Sequence, residues 1–308
     1  MRCLVTGATG HVGSFLVRRL LDGGHAVHVL LRPESDQWRL RDLPGSVTRH
    51  LCSLDLPVEL DKCVKAAQPD IVFHLAWGGI TAERRNDPEQ VSSNVRQALS
   101  VLEAAHAAGC STFISVGSQA EYGRVDGVIR EDHATHPETA YGVAKLALSQ
   151  LATKYCELAG IRCVWLRLFS AYGPMDTATH MLPTLIETLL RGERPALTRC
   201  EQQWDYLYIE NVAEALYQTA ITPTASGIFN LSSGTATPLL EVVTRVRDLI
   251  DPALPLGIGE VAYRDGQVMH LEGDIARLRA ATGWQPHVSL EDGLARTVAW
   301  HRSPHLGS

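Results

Sequence analysis

The 308-residue sequence predicts an α/β fold: a doubly wound parallel sheet followed by a smaller C-terminal lobe. Three observations carry that expectation. An apolar run at residues 3–5 leads into glycines 7, 10 and 13, after which Val12, Phe15, Leu16 and Leu20 recur at helical spacing. Short valine-rich runs then alternate with amphipathic helical stretches as far as residue 169. Beyond Pro174 this alternation loosens into short, irregular segments.

Each element has its own signature. The helix after the glycines stops at Gly23-Gly24, and 26–31 (AVHVLL) reads as the second strand. Residues 47–51 form a shorter third strand, and 60–67 a helix ended by Pro69. The 70–76 run is near-continuously apolar, as a strand buried on both faces should be. A long helix at 88–108 keeps Val91, Val95, Leu99, Leu102 and Ala105 in register and ends at Gly109. A fifth strand at 112–116, a helix at 141–159 stopped by Gly160, and a sixth strand at 162–169 complete the alternation. In the looser half, 182–190, 212–220, 239–250 and 290–301 read as helices, and 204–209 and 228–231 as strands. The expected division is 1–170 for the sheet domain, with 204–231 returning to it, and 171–308 mainly for the lobe.

Composition narrows the class. Hydrophobic residues make up 45% of the chain and charged residues 20%, as in a soluble globular protein. A net charge of -6 gives no support to a nucleic-acid or anionic-membrane partner, and no apolar run is long enough to span a bilayer. The N-terminus opens on the first strand, so no signal or transit peptide is expected. The cysteine count is odd at 7, without a CxxC, which reads as reduced, buried thiols of a cytoplasmic protein. The 13 histidines lack zinc-like spacing, so no metal site is expected.

The strand–glycine–helix stretch has a chemical meaning. A helix N-terminus offers free N–H groups to a pyrophosphate, which makes the first domain a Rossmann-type dinucleotide site. Gly7 allows the tight turn, Gly10 the close approach of phosphate, and Gly13 the packing of helix on strand. Tyr141 and Lys145 stand four apart and share one helix face, an arrangement suited to proton transfer at a carbonyl or alcohol. The lysine charge is expected to draw the phenol down from its ordinary value of about 10. Ser118 follows the fifth strand, at the sheet end where ligands sit, and could hydrogen-bond the same substrate oxygen.

With these residues in place, the chain resembles the extended short-chain dehydrogenase/reductases, and among them the NAD(P)-dependent nucleotide-sugar epimerases, dehydratases and ketoreductases. TGATGHVG at 6–13 is similar to that family's glycine loop, HLAW at 74–77 to its HxAA segment, and Asn94 with VLEAA at 101–105 to its N…LLEAA pattern. YGVAK at 141–145, RLFSAYGP at 167–174 and the GW-P-SLEDGL-T-W pattern at 283–300 follow in family order. The resemblance implies a catalytic triad of Ser118, Tyr141 and Lys145, with Tyr141 and Lys145 also contacting the cofactor. It implies cofactor contacts from Gly7, Thr9, Gly10, His11, Val12 and Gly13, and from Ser53, Leu54, Leu75 and Ala76. Substrate contacts are implied for Trp77, Gln119, Ser170, Trp204 and Arg264, the last as a grip on a diphosphate. Relatives pair the helices corresponding to 88–108 and 141–159, so the resemblance also implies a homodimer.

Departures from the family pattern sharpen the function. Arg32 and Ser35 follow the second strand where NAD-preferring relatives carry an acid, which favours NADP(H), with NAD as the alternative because Glu34 is nearby. Gln119-Ala120 replaces the acid pair that eliminates water, so dehydration is not expected. Ser170 stands for a family asparagine, and Trp204 for an arginine that contacts phosphate. Trp204 could stack on a ligand or pack in the core. The leading expectation is an NADPH-dependent ketoreductase of a nucleotide-linked 4-keto-6-deoxysugar. A nucleotide-sugar 4-epimerase with retained NAD and a reductase of a non-sugar ketone are the alternatives.

Overall fold

Apolar residues that alternate faces along short strands build the sheet. In β1 (Arg2–Thr6), Cys3 and Val5 pack into one core and Leu4 into the other, so the strand is covered on both sides. The structure is a computed structural model and describes residues 1–303. After β1 come α1 (His11–Asp22), β2 (Ala26–Leu31), β3 (Thr48–Leu51), α2 (Pro57–Ala67), β4 (Ile71–His74) and α3 (Val95–Ala107). They are followed by β5 (Thr112–Ser118), β6 (Gly127–Ile129), α4 (Ala140–Ala159), β7 (Arg162–Leu168) and β8 (Ala171–Tyr172). The remainder is α5 (Met181–Leu190), β9 (Gln203–Asp205), β10 (Leu207–Tyr208), α6 (Ile209–Ile221), β11 (Gly227–Leu231), β12 (Ala236–Pro238), α7 (Leu239–Ile250), β13 (His270–Gly273), α8 (Ala276–Thr282) and α9 (Leu290–Arg302).

Seven strands form the main sheet in the order β11-β7-β5-β4-β1-β2-β3, every neighbouring pair parallel. Helices α1 and α6 cover one face, and α2, α3 and α4 the other. The chain order reverses between β1 and β4, and the crevice at that point is where a doubly wound sheet binds its ligand. A second, four-stranded sheet runs β12-β9-β13-β6, and β8 pairs with β10 beside it. Burial pushes the Cys3 thiol up to about 12, which keeps it protonated.

Beyond the added short elements β6, β8, β12, β13 and α8, two expected elements take a different form. The helix expected over 88–108 opens as a wide π turn at Gln90–Asn94 before α3 begins. The turn is held from outside the helix: Gln90 and Asn94 turn inward and donate to the backbone carbonyls of Gly79 and Gly78 at 2.6 and 3.2 Å. The strand expected over 204–209 is broken at Tyr206, because β9 pairs in the small sheet while β10 pairs with β8. Of the stretch expected to return to the first domain, β11 joins the main sheet and β9 does not.

Candidate functional site

The glycine loop is built by contact, not only by propensity. Gly7 has φ of 72°, and a Cβ there would lie 2.6 Å from the backbone of Leu75 and Ala76. A Cβ on Gly13 would lie 2.1 Å from the Gly7 carbonyl oxygen, so any side chain would push α1 off the loop. Gly10 closes the turn by donating to that same carbonyl at 3.0 Å. Thr6 fixes the neighbouring strand end, its Oγ1 accepting from the N–H groups of Leu75 and Ala76 at 3.2 Å each.

A cavity of about 580 Å³ opens over this loop. Gly7, Thr9, Gly10, His11, Val12 and Gly13 line its floor, with Leu75, Ala76 and Trp77 on the side of β4. Arg32, Ser35, Ser53 and Leu54 line the far end. The Arg32 guanidinium lies 3.5 Å from Glu34, both side chains about two-thirds exposed at 67% and 68%. Asp55, which the sequence reasoning missed, takes hydrogen bonds from Arg96 at 2.6 Å and Gln97 at 3.0 Å. Those two bonds hold its carboxyl below the usual carboxylate range and tie the end of β3 to α3. The helix N-terminus and a cradle that a Cβ would fill both suit a dinucleotide.

The candidate catalytic side chains meet where β5 ends against the first turn of α4. Thr139 caps α4, its Oγ1 accepting from Gly142 N–H at 3.1 Å. Tyr141 donates its own N–H to the Arg85 carbonyl at 2.8 Å. Lys145 lies one turn further, buried, with Nζ donating to the Val116 carbonyl at 2.7 Å. Burial pushes the Tyr141 phenol up, and a Ser118 hydrogen bond pulls it back in part. The expected depression of Tyr141 by Lys145 is therefore not found. The ammonium lies 6.0 Å from the Tyr141 ring centre and is directed at Val116. Burial also pushes Lys145 down to about 7.

Glu121 supports this cluster and was not anticipated. It is fully buried, and its Oε1 accepts from Ser118 N–H and Trp165 Nε1, both at 2.9 Å. Its Oε2 accepts from Arg167 at 2.8 Å. The available signal was the Ser118-x-x-Glu121 spacing, a capping box whose two halves both form. His74 is also buried, with Nδ1 3.0 Å from Thr6 Oγ1, and burial pushes it down to about 3.

The remaining predicted residues divide. Ser170 and Trp204, the two departures from the family pattern, satisfy one another through a 2.5 Å bond from the indole N–H to Oγ. Trp204 is half-buried against a cluster containing Tyr122, Ile129 and Phe169. Its neighbour Asp205 is buried and accepts from Ser233, Gly234 and Gly273, pinning β9 in place. Gln119 is half-buried in the turn after Ser118. Arg264 stands exposed on the loop between α7 and β13 and does not line the cavity. A strap joins the halves: His11 Nε2 donates to the Pro174 carbonyl at 3.0 Å, and Arg39 donates to the carbonyls of Met175 and Thr9. Asp176 lies between His11 at 3.3 Å and His180 at 2.9 Å.

A seven-stranded parallel sheet with a glycine-loop cavity and a Ser–Tyr–Lys cluster defines a nicotinamide-dinucleotide enzyme of the short-chain dehydrogenase/reductase kind. Residues 3–232 match the NAD dependent epimerase/dehydratase family, and the chain belongs to it. It is 29% identical to a UDP-glucose 4-epimerase of Corynebacterium glutamicum, over 97% of this chain and 96% of that protein. It is 27% identical to a GDP-6-deoxy-D-mannose reductase of Pseudomonas aeruginosa, over 95% and 94%. Among solved structures, MoeE5 in complex with UDP-glucuronic acid and NAD superposes with a TM-score of 0.85 at 30% identity, covering 98% of this chain and 99% of that one. No helix among the described residues is long and apolar enough to cross a membrane.

Proposed function

We propose that the chain reduces the 4-keto group of a nucleotide-linked 4-keto-6-deoxysugar to the alcohol, using NADPH. Bound over the glycine loop, the dinucleotide would supply hydride for C4. Tyr141 gives its phenolic proton to O4, Ser118 holds that oxygen through its hydroxyl, and Lys145 supplies positive charge beside them. The glycine loop would carry the pyrophosphate, and the lobe formed mainly by 171–308 the sugar nucleotide. Raised by burial, the phenol stays protonated near neutrality, the state that a reduction consumes. Gln119 and Ala120 offer no acid or base for loss of water. The observation that carries the choice of net reduction is Arg32 on the cavity rim with Ser35, where a guanidinium can pair with a 2′-phosphate.

A second reading, a 4-epimerase that retains NAD, is favoured by the similarity to the Corynebacterium glutamicum enzyme and by NAD in the MoeE5 complex. One experiment separates the two. The cofactor released from purified protein is identified, and NADPH oxidation is followed against a panel of dTDP-, CDP-, UDP- and GDP-linked 4-keto-6-deoxysugars. Tightly held NAD with interconversion of UDP-glucose and UDP-galactose, and no NADPH oxidation, would overturn the reductase reading. The homodimer is proposed on the same family footing: Val143, Leu151 and Leu158 leave an apolar outer face on α4 at 44%, 47% and 80% exposure. The mass in solution checks it.

A further inference from the structure

The Lys145 ammonium is buried without a carboxylate partner. Glu121 is the acid that acts on it, yet both Glu121 oxygens are already taken, by Ser118, Trp165 and Arg167. The other titratable groups facing Lys145 are His74, neutral in its buried site, and Tyr141 on the same helix. One carbonyl, that of Val116, accepts from Nζ. An aromatic face also lies against the ammonium: Nζ is 3.7 Å from the centre of the Trp77 ring. That is well within the range at which a ring quadrupole attracts a cation.

The indole is held in that pose. Its N–H donates to Gln90 Oε1 at 2.7 Å, and Gln90 Nε2 donates onward to the carbonyls of Gly79 and Arg84 at 2.6 and 3.1 Å. Asn94 adds a 3.2 Å bond to the same Oε1. The indole also meets the Tyr141 ring edge-on, with centres 6.0 Å apart and planes at 87°. The π turn at Gln90–Asn94 thereby gains a purpose, because it aims both amides at the Trp77 loop.

We propose that Trp77 is a positioning residue whose indole face seats the Lys145 ammonium, with Gln90 as the clamp that fixes the indole. The inference rests on reading Tyr141 and Lys145 as the reacting pair, and it deepens that reading. It moves Trp77 from the substrate contacts to the support of the lysine, and it gives the buried charge the partner that no carboxylate supplies.

The test reads the lysine directly. The chain has four lysines, Lys62, Lys65, Lys145 and Lys154, so protein labelled with 13C at lysine Cε gives four assignable signals. The other three are exposed, whereas Lys145 is buried, and its signal is expected to titrate near 7. Trp77→Leu is expected to lower the Lys145 midpoint by roughly one pH unit, the loss of a partly desolvated cation–π contact. Trp77→Phe keeps a weaker aromatic face and should fall by less than half of that. Gln90→Met, which leaves the indole in place but unclamped, should give an intermediate fall. An unchanged midpoint in folded Trp77→Leu, or a rise from water entering beside Nζ, would overturn the proposal. So would equal shifts in the Leu and Phe variants. The titration needs neither cofactor nor substrate. Failure of the functional reading would show as absent turnover with this contrast intact, and failure of the inference as loss of the contrast.

Discussion

Glu121→Gln is the most demanding single change to this site. The substitution conserves shape, so its cost comes from charge and hydrogen-bond polarity. In the native protein both carboxylate oxygens receive donors only: Ser118 N–H and Trp165 Nε1–H on one, the Arg167 guanidinium on the other. A glutamine has one acceptor oxygen, so its amide NH2 must face either Arg167 or the Ser118–Trp165 pair. Whichever way it turns, Arg167 is left as a buried cation without its anion; the two side chains are 4% and 0% exposed. Removing one partner of such a pair costs about 3–5 kcal/mol. Spread over a chain of this length, that is a fall in Tm of roughly 5–10 °C. Thermal and urea unfolding followed by circular dichroism measure it. Turnover should fall as well, since the backbone of Ser118 is held by the same carboxylate. A loss below about 1 kcal/mol would refute the reasoning. So would Glu121→Met with Arg167→Met costing as much as Glu121→Gln alone, because apolar replacement of both partners removes the unpaired charge.

Tyr141→Phe should reduce turnover by roughly 10²- to 10⁴-fold while dinucleotide binding, followed by fluorescence titration, stays within a few-fold. Arg32→Asp should weaken NADPH binding about tenfold and improve NADH binding, a modest switch because the guanidinium is largely exposed; equal effects on both cofactors would remove Arg32 from the 2′-phosphate role. His74 carries a pH dependence with a definite sign. Its folded value, about 3, lies below the ordinary histidine value, so its contribution is complete above about 6.5 and is lost as pH falls toward 3. In that window it should remove roughly 1.4 kcal/mol of stability per pH unit. Urea midpoints at pH 7.5, 6 and 5 check this, and His74→Phe should flatten the slope.

The parts of the fold set by local chemistry were legible in the sequence. The strand, glycine loop and α1 announce themselves by a switch of period around three glycines, and Tyr141 and Lys145 by one turn of helix. Interactions that join distant segments were not legible. Nothing within 88–108 tells that Gln90 and Asn94 will bond the carbonyls at 78 and 79, so the π turn reads as ordinary helix. Glu121 has a local signal in its capping box, but its partners Trp165 and Arg167 come from the neighbouring strand β7. Ser170 and Trp204 each look like a lost contact until the sheet brings them within one hydrogen bond. The direction of the Tyr141 shift failed for the same reason, because burial is a property of the packed site and outweighs a lysine four residues away.

The strap between the glycine loop and the segment after β8 has a mechanical consequence. His11 and Pro174 stand 163 residues apart, yet they share a hydrogen bond, and Arg39 grips both sides by donating to Thr9 and Met175. Thr9 cannot shift without loosening Met175, and the polypeptide entering α5 cannot swing without pulling on the floor of the cavity. Load applied at either end is thus shared, and two ligands bound one at each end of the strap would have to alter each other's affinity by one and the same factor.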